Sequence, residues 1–181
     1  MEDSPLSCAV LDQEQLAVIK LYGKGNFISS VPLKKFSEYV CKSSVVKDII
    51  LDLEDCESMD STFMGVLASV SIAQIRRGER KLILANANEH CRKLLKTLGI
   101  ARLLEIHEPN STSNSATAHQ ISLDKAGEQL EPMHQEKLSH TDQICHTLEA
   151  HRTLVRADGE NEIRFQSVIH YLEKSLGKDN C

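Results

Sequence analysis

The spacing of apolar residues divides the chain into short strands and helices. Positions 16–21 alternate cleanly, with Leu16 and Val18 on one face and Ala17, Ile19 and Leu21 on the other. That period of two predicts a strand. Positions 9–11 predict a second strand, and the polar run Asp12-Gln13-Glu14-Gln15 between them predicts a β-hairpin. Turn chemistry follows in Gly23-Lys24-Gly25-Asn26. Leu33, Phe36, Val40 and Cys41 then recur at helical spacing, with Ser29 or Ser30 as the expected N-cap and Pro32 in the first turn. Positions 45–53 form an apolar run typical of a buried central strand.

A helix is expected over 62–75, apolar on most sides, with the small residues Gly65, Ala68, Ser69 and Ala73 allowing close approach. Arg76-Arg77-Gly78 ends it with positive charge at the negative end of its dipole. A strand over 81–86 follows. Cys91, Leu94, Leu95 and Leu98 then define a helix capped by Asn86 or Asn88 and stopped at Gly99. Leu103, Leu104 and Ile106 make a last short strand. Strand–helix–strand–helix–strand order predicts crossover connections and parallel pairing.

Beyond this point the composition changes. Residues 109–121 are polar and low in complexity, and read as a flexible linker between a first domain (1–108) and a C-terminal helical extension (122–181). Within the extension, 135–155 and 159–176 read as two helices, the second carrying the stripe Phe165, Val168, Ile169, Leu172 and Leu176. A hairpin this small cannot bury its stripe alone, so it must dock on the first domain, on a second copy or on a partner.

The net charge is −5, with no clustered basic face; this and the absence of tryptophan disfavour binding to DNA or RNA. No run approaches a membrane span, and the acidic start lacks a signal core, so a soluble, cytoplasmic protein is expected. The six cysteines (8, 41, 56, 91, 145 and 181) show no metal-type spacing, and most read as small buried hydrophobes. Cys56 sits in an acidic turn that should raise its pKa. Histidines 134, 140, 146 and 151 never fall at the i, i+4 spacing of a helical metal pair, and neither a metal nor a cofactor is expected.

The densest chemistry lies between the strand ending at Leu53 and the helix over 62–75: Glu54, Asp55, Glu57, Ser58, Asp60, Ser61 and Thr62. Asp60-Ser61-Thr62 followed by Gly65-Val66-Leu67, with Lys81-Leu82-Ile83-Leu84-Ala85-Asn86 and Leu98-Gly99-Ile100 downstream, resembles the STAS family, and within it the bacterial anti-sigma-factor antagonists. The resemblance spans residues 8–108. It implies an α/β fold: a STAS-like mixed sheet of four to five strands with amphipathic helices packed on it, here extended by a C-terminal helical hairpin. It also implies a phosphorylation-switched module in bacterial signalling or transcription control. Its expected partners are an anti-sigma factor/serine-threonine kinase and a serine-threonine phosphatase. Thr62 matches the phospho-acceptor, with Ser61 as second choice. Asn26, Ser58, Asp60, Ser61, Thr62 and Phe63 are the expected partner-binding residues. Two positions depart from the family pattern: Phe63 replaces a glycine, and Asn26 replaces an acid.

Two other readings stand beside this one. An enzyme would need a nucleophile with a base and a charge stabiliser; no Gly-x-Ser-x-Gly pattern is present, and no histidine has a motif context. A scaffold would bind without phosphorylation and dimerise through the C-terminal helices. A nucleotide ligand is disfavoured by the absence of a phosphate-cradling glycine loop.

Overall fold

The structure is a computed structural model and describes residues 5–43, 45–109 and 114–178. Strands β1 (Leu6–Leu11) and β2 (Leu16–Leu21) form the expected antiparallel hairpin. A short β3 (Gly23–Gly25) leads into α1 (Phe27–Lys42), followed by β4 (Asp48–Asp52), β5 (Cys56–Met59) and α2 (Ser61–Arg76). Then come β6 (Ile83–Ala85), α3 (Glu89–Thr97), β7 (Glu105–Ile106) and α4 (Asn114–Gly127). The chain closes with β8 (Glu131–Pro132), α5 (His140–Ala157) and α6 (Glu160–Lys178).

The main sheet is mixed, in the order β7-β6-β4-β2-β1-β8. Strands β2, β4, β6 and β7 run parallel, as the crossover pattern requires; β1 is antiparallel to both its neighbours, β2 and β8, and β7 and β8 are the edges. The alternation in β2 has its predicted consequence. Ala17, Ile19 and Leu21 join Ile49, Leu51, Leu82 and Leu84 in the larger core beneath α1, α2 and α3. Leu16 and Val18 join Ile50, Ile83 and Ala85 on the opposite face.

That second face is covered by α4, through Leu123 and Ala126. Positions 114–121, expected as flexible linker, are therefore helical; positions 110–113 of that segment lie outside the described residues. The helix is weakly amphipathic, and tertiary contacts hold it: Ser122 donates to Glu14 at 2.7 Å, and Lys125 pairs with Glu14 at 2.6 Å. Of the three destinations open to the hairpin, the first domain is the one used. Ala150, Leu154, Ala157 and Phe165 belong to the same core as Leu33, Phe63 and Leu67. The α5–α6 turn is keyed to the Leu98-Gly99 segment. Asn161, fully buried, donates to the carbonyls of Leu98 and Leu154, both at 2.9 Å. Gly99 has φ 65°, and the Asp158 carboxylate occupies the space where a side chain would stand. Among the described residues, no helix is long and apolar enough to cross a membrane.

Candidate functional site

The site is built by two short parallel strands. β3 pairs with β5 so that Gly25 lies opposite Met59. The next residue on each strand, Asn26 and Asp60, is the N-cap of α1 and of α2 respectively. Both helices thus start side by side, and the Asp60 amide donates to the Gly25 carbonyl at 2.8 Å. Asn26, not Ser29 or Ser30, is the α1 cap. Its Oδ1 accepts from the amides of Ile28 and Ser29, while the Ser29 hydroxyl accepts from the Asn26 amide, a reciprocal capping box. Asp60 accepts from the Phe63 amide at 2.8 Å. Two positive helix ends therefore meet at one place.

The two family departures have structural reasons. The Phe63 ring lies over Gly25, whose missing side chain makes the room; a Cβ there would stand 2.6 Å from Phe63 Cδ1. Phe63 is 0% exposed, so the expectation that it meets a partner is corrected: it is a core residue. Asn26 exchanges an acid for a neutral cap that supplies the same acceptor. Ser58 is half-buried on β5, opposite Lys24.

The knot of carboxylates is dispersed by Lys20. Its ammonium lies 3.0 Å from Asp55, 3.1 Å from Glu54 and 3.6 Å from buried Asp52. Burial alone would lower the Lys20 pKa, but the hydrogen bonds to Asp55 and Glu54 outweigh it and raise it. Cys56 titrates above its ordinary value, as expected, but because of its contact with Cys91 (3.7 Å) and its burial rather than the acidic turn.

Helix α5 completes the site. His151 Nε2 lies 3.0 Å from the Ser61 hydroxyl, and its Nδ1 lies 2.8 Å from the Thr147 carbonyl. Nδ1 must carry the proton to face a carbonyl, so in the neutral ring Nε2 accepts and Ser61 donates. His151 also packs edge-on against Phe165, with ring centroids 4.9 Å apart. One turn toward the α5 N-terminus, His146 lies 2.7 Å from the Ser30 hydroxyl and 5.5 Å from the Phe27 ring. Burial first, then the charge of Lys34, lowers His146 to about 4. Gly65 allows the closest approach, since a Cβ on it would fall on the Ala150 backbone. Thr62, between Ser61 and Gly65 in sequence, is 6% exposed.

The structure therefore brings Asn26, Asp60, Ser61 and Thr62 together, keeps Ser58 alongside, and removes Phe63 to the core. The close approach at Gly65 was read from its size, though not that α5 makes it; His146 and His151 were not legible. Ser61 and His151 are 90 positions apart, and neither histidine has a local motif.

A STAS domain model matches residues 3–115, from the chain start through β7 and into α4. No curated protein matches the chain in sequence. TM1081 of Thermotoga maritima, assigned as an anti-sigma factor antagonist, superposes with a TM-score of 0.51 at 19% identity. That match covers 64% of this chain and 92% of that one. The anti-sigma factor antagonist SpoIIAA in its unphosphorylated form gives 0.51 at 15% identity, covering 65% of this chain and 97% of that one. At these identities the likeness is one of fold. The two capped helix starts, the mixed sheet beneath them and a family match over more than half the residues agree, and the chain belongs to the STAS domain family.

Proposed function

We propose that this chain is a phosphorylation-switched protein-binding module of the anti-sigma-factor-antagonist type. Its docking face is the pair of helix starts at Asn26 and Asp60, with Ser58 and Ser61 alongside. Thr62 is the phospho-acceptor, with Ser61 as second choice. The partner class is an anti-sigma factor/serine-threonine kinase, with a serine-threonine phosphatase resetting the switch, in the cytoplasm of a bacterium. The module works by binding rather than by turnover. Ser61 and His151 resemble a nucleophile and base, but the imidazole is backed by a backbone carbonyl rather than a carboxylate.

The observation that carries this reading is the adjacency of the two N-caps. A phosphate adds about −1.5 to −2 charges at neutral pH. Two helix N-termini tolerate that charge, so the fold survives modification. A docked partner does not: an unpaired charge in a desolvated contact costs several kcal/mol, each ~1.4 kcal/mol being tenfold in affinity. Helix α5 packs beside this face, reaching Ser61 through His151 and Ser30 through His146, while Asp60 stays exposed; on this reading kinase and partner compete with α5 for the Ser61 side of the face.

A second reading is favoured by the burial of Thr62: a module that binds through the same face without phosphorylation. Intact mass spectrometry of protein from its native cell, under several growth conditions, separates the two. Phosphate on Thr62 or Ser61, together with a kinase retained by Thr62→Ala and not by Thr62→Glu, supports the switch. A uniformly unmodified pool and equal retention by both variants refute it and leave the second reading.

A further inference from the structure

We propose that Glu105, His107 and His119 form a binding site for one divalent transition-metal ion of the zinc class, which fastens α4 to the edge of the sheet. The site is separate from the paired helix starts and does not depend on the switch.

Its geometry follows from two elements far apart in sequence. Glu105 and His107 flank Ile106 at positions i and i+2, so they leave the strand on the same side. The backbone of His107 is fixed: its amide donates to Leu84 at 2.8 Å and its carbonyl accepts from Ala87 at 3.0 Å. His119 arrives from the second layer, on α4, which Leu123 and Ala126 hold against the sheet. The two imidazole centroids are 5.1 Å apart. One ligand atom from each of the three side chains lies within 4.8 Å of the others. A tetrahedral ion with bonds of about 2.0–2.2 Å needs ligand atoms roughly 3.3 Å apart, which small side-chain rotations supply.

The site is incomplete without an occupant. The Nδ1 atoms of both His107 and His119 are buried and have no hydrogen-bond partner among the described residues. Buried polar atoms are ordinarily satisfied, and two orphaned imidazole nitrogens on rings 5.1 Å apart call for a ligand that accepts lone pairs; His107 Nε2 meanwhile lies 3.0 Å from Glu105 Oε1. Two imidazoles with one carboxylate suit zinc, cobalt or nickel better than magnesium or calcium, which prefer all-oxygen shells.

The surrounding charge permits a cation. Arg80 sits 3.0 Å from both Glu105 oxygens, but Asp48 lies 4.0 Å from the same guanidinium, so two carboxylates face one fixed positive charge. His107 and His119 also line a cleft of ≈ 360 Å³ with Asn86 and Glu108, which gives an ion a way in.

The test is calorimetric titration of tag-free, EDTA-stripped full-length protein with zinc chloride, and a parallel titration with cobalt chloride read by its visible absorption. One ion per chain is expected, with magnesium chloride giving no heat. His107→Gln and His119→Gln should each weaken zinc at least about tenfold, while His134→Gln, at an exposed position, changes nothing. Zinc should also slow hydrogen exchange across 117–127 in the parent and not in the variants. Circular dichroism confirms that the variants fold; if either fails to, the zinc-dependent exchange in the parent decides alone. Absence of zinc and cobalt binding at millimolar metal, equal affinity in parent and variants, or unchanged exchange across 117–127 overturns the proposal.

Discussion

Gly65→Ala should loosen α5 from α2 while leaving the sheet domain folded. An added Cβ would stand 2.7 Å from the Ala150 carbonyl carbon and 2.9 Å from its Cα, backbone atoms that cannot rotate aside. Overpacking of this kind costs about 1–3 kcal/mol. Replacing a helical glycine by alanine returns roughly 0.5–1 kcal/mol, but to α2 itself and in both the docked and undocked forms. The α5 docking equilibrium therefore shifts by the overpacking cost, about 5- to 150-fold toward the open form. Hydrogen exchange with mass spectrometry reads this directly: protection across His140–Ala157 should fall while β4 and β6 keep theirs. Under the proposed function the same variant should carry more phosphate at Thr62. Unchanged α5 protection would refute the close Gly65–Ala150 contact. Equal loss of protection everywhere would show that α5 is an inseparable part of the core.

Lowering the pH should weaken the hairpin's attachment. His146 titrates at about 4 when folded, below the ordinary histidine value, so its stabilising contribution is complete above roughly pH 6.5 and is lost as pH falls from 6.5 toward 4. The shift would amount to ~3 kcal/mol in full; screening by solvent at this partly wet edge reduces it to about 1–2 kcal/mol. Urea melts at pH 7 and pH 4.5 should differ by that amount in the parent and less in His146→Gln. Asn161→Ala leaves the Leu98 and Leu154 carbonyls without their side-chain donor and should cost about 2–3 kcal/mol in the same assay. Asp60→Ala removes the α2 cap and should cost about 1 kcal/mol.

The STAS portion was legible because its signals are periodic and local. The alternation in β2 assigned Ile19 and Val18 to the correct opposite faces, and Gly99 stopped α3 as its positive φ demands. The α1 cap was misplaced by three residues because Ser29 is the reciprocal half of a box whose other half, Asn26, looks like turn chemistry. Helix α4 and strand β8 were invisible for a different reason. The first is held by Leu123, Ala126 and a distant Glu14, and the second is a two-residue pairing against Ser7 and Cys8. Neither carries enough period to read. The candidate site divided in the same way: Asp60, Ser61 and Thr62 are adjacent in sequence, whereas His151 reaches Ser61, and His146 reaches Ser30, only through the fold.

The composition of α2 explains why the extension docks where it does. Positions 61–75 contain no charged residue, and Thr62, Phe63, Met64, Gly65, Val66, Leu67 and Ala68 are all buried. A helix lying on one sheet needs a single apolar stripe; one apolar on most sides needs a second cover, and α5 is that cover. The cover and any partner that uses the same face are thus mutually exclusive ligands of α2. Linkage makes the relation reciprocal, so whatever factor α5 takes from partner affinity, the partner takes from α5 docking. If the open form is 1% populated, a partner's affinity is reduced a hundredfold, about 2.7 kcal/mol. Under the proposed function, a charge placed on Thr62 opposes its own burial as well as docking of a partner. On that reading the modified protein should be open and unbound, and the unmodified protein divided between its own helix and a partner.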